Sequence, residues 1–200
     1  MNTQYLNTRE KILLVTIELF GSKGDMTTRE IADKAGVNVA SINYHFGSKK
    51  NLLKEVEKHY SHILYKMQSD ILNDITMTAT KKLLTWANHL MNFMFKHPAL
   101  ITLTANLVLE DVTYDSNIIK NFFINTDFKE EIQKIIGTIT GISDEQLLNF
   151  KYTQIFSGIL GPIIFQVISN YYGSKEFFLD LSKEDIRLQY VENLILSILQ

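Results

Sequence analysis

Apolar residues recur along this chain at the three- and four-residue spacing of an α-helix, and no alternating pattern lasts long enough to predict a strand. The first predicted helix follows a cap at Thr8 or Asn7 and ends before Gly24, a residue type common at helix C-termini. One face of this helix carries Ile12, Val15, Thr16, Leu19 and Phe20. The spacing therefore predicts a helix of about four turns.

Two short helices follow, each with its own start and stop signals. Thr27 and Glu30 have the spacing of a capping box, in which each side chain accepts a hydrogen bond from the other residue's backbone N–H. Each short helix ends at a glycine and is followed by a residue that can cap the next helix: Gly36 with Asn38, and Gly47 with Ser48. The sequence thus predicts a long helix, two short helices close together, and a second long helix.

Longer helical patterns occupy the rest of the chain, at about residues 79 to 97, 98 to 111, 116 to 140, 144 to 172 and 183 to 199. The longest apolar run, residues 155 to 168, is shorter than the roughly 20 residues that a membrane span needs. We therefore expect a buried helix there and no membrane contact. The pattern predicts an all-α protein with an N-terminal domain at residues 1–50 and a larger helical domain at residues 51–200.

The composition narrows the class of protein. The 200 residues include no cysteine, which excludes disulfides, thiolate metal sites and a cysteine nucleophile. Residues 1–60 contain nine Lys/Arg and seven Asp/Glu, whereas the remaining residues contain eleven and fifteen, so the N-terminal part is mildly cationic. The polar N-terminus has no pattern of a secretory signal. We expect a cytoplasmic protein with no cofactor and no metal.

The order of helices at the N-terminus is that of a helix-turn-helix unit, whose second short helix enters the major groove of DNA. The residues strengthen this indication, because the segments TREKILLVTIELFGSKG and TTREIADKAGVNVASINYHFGSKKNLLKEV closely resemble the DNA-binding domain of TetR/AcrR-family transcriptional regulators. The resemblance covers roughly residues 8 to 56, and its most specific parts are the AGV turn and the Y-H-F-x-S-K sequence. Beyond residue 60 the chain resembles the family in its pattern of long helices.

The resemblance implies a set of residues that contact DNA. Thr28 and Arg29 begin the second helix, where backbone N–H groups and a guanidinium suit a phosphate. Tyr44, His45 and Lys49 match family positions that contact the DNA backbone. The residues expected to face base edges are Val39, Ala40, Ser41 and Asn43.

Two positions depart from the family pattern. Val39 stands where lysine is usual, and Asn43 replaces the first of two usual tyrosines. Val39 and Ala40 have two interpretations, packing within the domain or contact with a thymine methyl group, whereas Asn43 can form two hydrogen bonds with an adenine edge. We therefore expect a distinctive operator sequence.

The resemblance also implies that the larger domain binds an effector and dimerises. The candidates for lining an effector pocket, which would suit a small apolar or aromatic molecule, are Trp86, His89, Phe93, Phe122 and Phe156. The candidates for a homodimer interface built from the last two helices are Gly158, Gly161, Val191, Leu194, Ile195 and Ile198. The expected function is that of a repressor that binds a pseudo-palindromic operator as a dimer and is released by the effector.

Other functions have less support in the sequence. His59 and His62 are three residues apart on the fourth helix, a spacing that can serve a metal, but no third ligand accompanies them. The sequence contains no GxSxG, HExxH or GxGxxG motif and no P-loop, so we do not expect an enzyme. The remaining alternative is a DNA-binding protein that acts on chromosome organisation without an effector.

Overall fold

The computed structural model describes residues 6–121, 126–172 and 180–200. These residues form helices joined by short connections, and no strand occurs among them, which confirms the predicted all-α fold. In chain order the helices are α1 Thr8–Lys23, α2 Thr28–Ala35, α3 Val39–Phe46, α4 Lys49–Leu72, α5 Ala79–Lys96, α6 Ala99–Glu110, α7 Asn117–Ile119, α8 Thr126–Thr140, α9 Glu145–Tyr172 and α10 Glu184–Leu199.

The helix boundaries follow the caps and breaks that the sequence predicts. The Asn7 side chain accepts a hydrogen bond from the Glu10 N–H at 3.0 Å, so Asn7 and not Thr8 caps α1. Pro98 separates α5 from α6, as expected. The region predicted as one helix at residues 116–140 contains α7 and α8, and residues 122–125 lie outside the described residues.

The chain forms two compact units. The first consists of Met1–His62 and His97–Ile119, and it contains α1 to α3, the first part of α4, α6 and α7. The second consists of Ile63–Lys96 and Lys120–Gln200, and it contains the rest of α4, α5 and α8 to α10. The domain boundary expected at residue 50 concerns functional roles, and it stays a prediction.

The first unit has an apolar core that encloses one charged side chain. The core of α1 to α4 includes Ile12, Phe20, Ile31, Ile42, Phe46, Leu52 and Val56. Glu57 is fully buried beside them, and its carboxylate accepts four hydrogen bonds. The donors are the Tyr114 hydroxyl at 2.8 Å, the Ser116 hydroxyl at 2.8 Å, the Asn117 amide at 3.2 Å and the Ile118 N–H at 2.7 Å. These donors replace water around the carboxylate, so Glu57 fixes the connection between α6 and α7 to α4.

Lys54 adds a second attachment of the same connection to α4. Its ammonium nitrogen lies 2.9 Å from Asp111 Oδ2 and 4.6 Å from the centre of the Tyr114 ring. Hydrogen bonds from the Thr113 hydroxyl and from Lys54 lower the pKa of Asp111 to about 2. Burial and the hydrogen bond to Glu57 raise the pKa of Tyr114 well above its ordinary value. At neutral pH Asp111 is therefore charged and the Tyr114 hydroxyl keeps its proton, as their contacts need.

In the second unit, a tyrosine from α10 compensates for a proline inside α9. Pro162 has no N–H, so the carbonyl of Gly158, four residues earlier, lacks its usual helical hydrogen bond. The Tyr190 hydroxyl donates to this carbonyl at 2.7 Å. A Cβ atom on Gly158 would lie 2.5 Å from Leu194 Cδ1, so a larger residue here would require the Leu194 side chain to move.

The prediction of a buried helix at residues 155–168 is wrong. Within α9, Ile164, Phe165 and Ile168 are 44%, 56% and 47% exposed. The reason is that the inward face of α9 is already filled by Ile155, Ile159 and Ile163, each fully buried. The segment Glu145–Ser169 is long and apolar enough to cross a membrane, judged by length and composition only. Of its most apolar stretch of 18 residues, 22% is buried. The outward face of α9 is therefore an apolar surface.

Candidate nucleic-acid interface

The turn between α2 and α3 is built from local hydrogen bonds. The capping box at the start of α2 is present, with the Glu30 N–H donating to Thr27 Oγ1 at 3.1 Å and the Thr27 N–H donating to Glu30 Oε2 at 2.7 Å. Gly36 ends α2 at a φ of 62°, in the left-handed region that favours glycine. Asn38 then caps α3 and accepts hydrogen bonds from the N–H and the hydroxyl of Ser41, at 2.8 and 2.9 Å. This sequence of caps fixes the path of the chain from α2 into α3.

The helix α3 has a packed face and an open face. Ile42 and Phe46 are buried and hold α3 in the first unit. The helical period places Ala40, Asn43 and Tyr44 away from Ile42, and all three are exposed. The exposed fraction of Tyr44 is 85%. An anchored helix that presents an open row of side chains is suited to enter a groove of DNA.

Two other residues border the open face of α3. Val39 is 39% exposed, so part of its side chain packs and part is available to an apolar group such as a thymine methyl. The Ser41 hydroxyl already donates to Asn38, so its remaining capacity is to accept a hydrogen bond. Val39 and Ser41 therefore offer DNA fewer kinds of contact than the exposed Asn43, whose amide can both donate and accept hydrogen bonds.

The joint between α3 and α4 depends on residues that the sequence pattern does not single out. The Asn51 amide donates to the Phe46 carbonyl at 3.0 Å, and the Asn51 N–H donates to Ser48 Oγ at 3.1 Å. The Arg9 guanidinium lies 4.9 Å from the centre of the Phe46 ring and pairs with Glu55 at 3.6 Å. These contacts hold the end of α3 against α1 and α4. The sequence does not predict that Asn51 joins α3 to α4, because asparagine is common in the first turn of helices.

The start of α2 has groups that suit a phosphate. The capping box uses the N–H groups of Thr27 and Glu30, whereas those of Thr28 and Arg29 have no partner in the described part of the chain. The Arg29 side chain is exposed. Hydrogen bonds from the Thr27 backbone and from Lys23 lower the pKa of Glu30 to about 2, so this carboxylate is charged and Lys23, 3.1 Å away, offsets its charge.

The positive charge available to DNA lies beside α3 and not on it. The α3 sequence VASINYHF contains no lysine or arginine, and the His45 ring packs edge-on against Tyr44 with ring centres 5.0 Å apart. Lys49 follows α3 and pairs with Asp25 at 3.4 Å. The Asp25 side chain is 95% exposed, and such surface pairs contribute about 0–1 kcal/mol, so a phosphate can replace Asp25. Arg29, at the start of α2, and Lys49, just after α3, are thus cations that an anion such as a phosphate could reach.

Comparison with known proteins agrees with this geometry. Residues 12–56, which include α2, α3 and the start of α4, match the family model described as bacterial regulatory proteins, tetR family. A Bacillus subtilis (strain 168) protein named "Probable HTH-type transcriptional regulator YttP" is 30% identical over 129 residues. The match covers 63% of this chain and 60% of that relative, so the chain spans less than two thirds of the relative's length. Over residues 12–56 the chain is therefore similar to the DNA-binding region of tetR-family regulators.

Solved structures of tetR-family type share the fold over nearly the whole chain. The ketosteroid transcriptional regulator KstR2 of Mycobacterium tuberculosis superposes with a TM-score of 0.64 at 18% identity, covering 97% of this chain and 96% of that one. The TetR-family transcriptional regulator PfmR from Thermus thermophilus superposes with a TM-score of 0.62 at 18% identity, covering 95% and 96%. At 18% identity these two likenesses concern the fold, which this chain shares over nearly its whole length.

The pocket residues expected from the sequence have different environments. Trp86 is 1% exposed, and its indole N–H donates to Gln68 Oε1 at 2.9 Å, so Trp86 is a core residue. Phe93 is also buried, and Phe156 is half-buried. His89 is exposed, with its Nδ1 2.8 Å from the Thr85 carbonyl oxygen, which argues against a place in an enclosed pocket. Phe122 lies outside the described residues.

The expected dimer-interface residues also divide between two environments. Val191 and Ile195 are fully buried within the second unit, which corrects the expectation that they meet a partner. Gly158 serves the packing of α10 on α9 within the chain, as described above. Leu194 and Ile198 are half-buried. A Cβ on Gly161 would meet no atom of the described residues within 4 Å, so Gly161 leaves open space beside α9 there.

Within the described residues, the histidine pair on α4 belongs to no metal cluster. Among the described residues, no group of three or more His, Asp or Glu side chains is arranged to hold a metal ion. Partial burial and the neighbouring His62 lower the pKa of His59, which favours its neutral form. The geometry therefore offers the pair no additional ligand within the described part of the chain.

Proposed function

We propose that the protein is a transcriptional repressor that binds a pseudo-palindromic operator as a homodimer and is released by a small apolar or aromatic effector. The observation that carries this proposal is the open face of α3, where Asn43 and Tyr44 are exposed while Ile42 and Phe46 anchor the helix. A recognition helix needs both features, since it must be held rigidly while its outer side chains reach the bases. As a regulator of this kind, the protein would act in the cytoplasm and not at a membrane.

The proposed contacts fall into two classes. Phosphate contacts set the position of α3 in the groove, and the residues assigned to them are Thr28, Arg29, Tyr44, His45 and Lys49. Base contacts set sequence preference, and the residues assigned to them are Val39, Ala40, Ser41 and Asn43. The absence of lysine and arginine from α3 supports this division, because the cations that favour phosphates then lie outside the helix. The side chains left for base contacts are an amide, a hydroxyl and two small apolar groups.

Selection of bound sequences from random DNA, followed by affinity measurements, tests the DNA contacts. Replacing Tyr44 and Lys49 by alanine should weaken binding to all sequences and reduce its salt dependence. Asn43→Ala should instead reduce discrimination at one base pair by about 1–3 kcal/mol. Lys66→Ala, at an exposed lysine of the second unit with no ion pair among the described residues, is the control. If all variants bind the selected site as the control does, the assignment of α3 is wrong.

The proposed dimer buries the outward face of α9 against a second copy of the chain. The exposed apolar residues on this face recur at helical spacing: Leu147, Phe150, Ile164, Phe165 and Ile168. Leu188 and Leu196 add exposed apolar surface on α10, and the open space at Gly161 would let a partner helix approach closely. Apolar surface of this extent supports an interface, and a two-fold axis would match the symmetry of a palindromic operator.

Sedimentation at micromolar concentration tests the dimer. We expect the wild-type chain to sediment as a dimer and Ile168→Glu to shift it toward monomer, because the substitution would bury a charge without a partner. Leu109→Glu, at an 80% exposed position of α6 in the first unit, is the matched control and should remain dimeric. A monomeric wild type, or an Ile168→Glu variant as dimeric as the control, contradicts the proposed interface.

Release by an effector is proposed to occur by a shift of population between two conformations. The helix α4 begins next to α3 and continues into the second unit, so it is a candidate to link ligand binding with the position of α3. Half-sites on one face of DNA lie about 34–36 Å apart, so a change of a few ångströms between recognition helices is sufficient to weaken binding. Linkage requires operator DNA to weaken effector binding by the same factor. Calorimetric titration with and without operator tests this, and equal effector affinities would favour the effector-independent alternative.

A further inference from the structure

A groove in the second unit has chemistry that differs from the apolar pocket expected from the sequence. It lies between the end of α5, the second half of α9 and the start of α10, and its volume is about 470 Å³. Small-molecule sites commonly have this size. Its lining includes two cations, Lys96 and Arg187, one carboxylate, Glu184, and one aromatic ring, Phe95. The ionisable groups of the groove therefore carry one net positive charge.

Arg187 is held in place before any ligand binds. Its Nε donates to Asn92 Oδ1 at 2.6 Å, and its Nη1 donates to the carbonyls of Leu181 and Ser182, both at 2.8 Å. The guanidinium carbon lies 5.3 Å from the centre of the Phe95 ring. These bonds use three of the five N–H groups, and the two on Nη2 have no partner among the described residues. A guanidinium fixed in this way loses little freedom when it binds a carboxylate.

The charge of Arg187 is not neutralised within the described part of the chain. Its three acceptors are uncharged amide and carbonyl oxygens, and it forms no ion pair there. The side chain is half-buried, so it has lost part of its hydration without gaining a carboxylate partner. Such a cation is costly in free energy, and an anionic ligand would reduce that cost.

A second, independent observation on the groove is an amide without a partner. The Gln166 side-chain oxygen is buried and has no hydrogen-bond partner in the described residues. Buried polar atoms are nearly always paired, so this one indicates a missing group. Turning the amide over would present two N–H donors at the same place, and a carboxylate would accept from them. Lys96, exposed at the end of α5, adds a cation that has no ion pair among the described residues.

We propose that this groove binds a monocarboxylate with an apolar or aromatic body. The carboxylate would accept hydrogen bonds from Arg187 Nη2, Lys96 and the turned Gln166 amide, and the body would lie against Phe95. Glu184 lines the same groove and opposes a second negative charge, which favours a monoanion over a phosphate ester or a dicarboxylate. That this ligand is the effector rests on the proposed function, whereas its binding to the groove does not.

Calorimetric titration of the full chain with benzoate, 4-phenylbutyrate and decanoate tests the groove. Each acid is compared with its primary amide, which has the same shape and no charge. We expect at least one acid to bind about tenfold or more tightly than its amide. Lys96→Gln should weaken binding of that acid about tenfold, because the carboxylate loses a cation, and should leave binding of the uncharged amide unchanged. The variant should fold, because Lys96 is exposed and forms no ion pair among the described residues. Lys66→Gln is the matched control, and thermal denaturation verifies that both variants fold.

Three results would overturn the inference: equal affinities for acids and amides, no binding of any of the three acids at millimolar concentration, or equal acid binding by Lys96→Gln and Lys66→Gln. Operator binding by the ligand-free protein is measured on the same preparations. A protein that binds operator but no acid would refute the groove and leave the proposed function standing. A protein that binds an acid through Lys96 but no operator would support the groove and refute the proposed function.

Discussion

Glu57→Gln is expected to lower the free energy of unfolding by about 2–3 kcal/mol. The native carboxylate is fully buried and accepts four hydrogen bonds. A hydrogen bond to a charged group contributes roughly 1.5–3 kcal/mol and a neutral one roughly 0.5–1.5, so neutralising the acceptor costs about 1 kcal/mol for each bond. Removing the buried charge returns several kcal/mol of desolvation free energy, but burying the glutamine amide with a rearranged set of partners costs about 1–3 kcal/mol, which leaves the stated net loss.

The geometry around Glu57 decides how glutamine would fit. Oε1 accepts from the Ser116 hydroxyl and from the Ile118 backbone N–H, which cannot become an acceptor, so the glutamine oxygen must occupy this position. The new amide NH₂ would then face the Tyr114 hydroxyl, which can rotate, and the Asn117 amide, which must turn over. Glu57→Ala removes both carboxylate oxygens and leaves the Ile118 N–H and the Ser116 O–H without an acceptor. We expect that variant to lose about 4–5 kcal/mol.

Urea denaturation followed by circular dichroism measures both losses, at one fixed protein concentration because dimerisation would add to stability. Glu55→Gln is the control, since Glu55 lies two residues earlier on α4 and pairs with Arg9 near the surface at 3.6 Å. It should lose less than about 1 kcal/mol. A Glu57→Gln variant within about 0.5 kcal/mol of this control would refute the argument that the buried carboxylate holds the α6–α7 connection.

Three further changes test separate parts of the structure. Tyr190→Phe should lower the free energy of unfolding by about 1–2 kcal/mol in urea, because the Gly158 carbonyl loses its donor; no change would refute this role. Glu30 has a folded pKa of about 2 against an ordinary 4.5, so its charge stabilises the fold above pH 4.5 and this stabilisation disappears as the pH falls toward 2. Glu30→Gln should therefore flatten the pH dependence of the melting temperature in that window, and an unchanged profile would count against the capping box. Asp25→Asn should raise operator affinity about two- to fivefold in anisotropy titrations, because Lys49 then leaves no carboxylate to reach a phosphate; an equal Kd would contradict the competition.

The N-terminal helices could be predicted because their signals are local. The caps at Asn7, Thr27 and Asn38 each bond to a backbone group three residues away, so the sequence contains both partners in one short window. Gly36 ends its helix through its own backbone conformation. The open face of α3 follows from the same local information, because the position of Ile42 in the core decides which side of the helix faces outward.

The features that the sequence does not predict depend on contacts between distant residues. Glu57 meets donors 57 to 61 residues further along the chain, and nothing near it marks it as buried. The groove cation Arg187 bonds to Asn92, 95 residues away. Val191 could not be assigned for a different reason: an apolar residue on a terminal helix is equally compatible with a core and with an interface, and the structure buries it in its own unit. Only the packing of α10 on its own unit decides between them.

The helix α9 has a composition that fits a core, an interface or a membrane, and its packing discriminates among them. A membrane span needs an apolar surface around most of its circumference, over about 20 residues. In α9, one side packs in the second unit through Ile155, Ile159 and Ile163, and Lys151 donates to the Ile198 carbonyl of α10. Its apolar exposed side chains are therefore confined to one outward strip, and the opposite side of the helix packs within the second unit. That arrangement favours a second copy of the chain over lipid as the partner of α9.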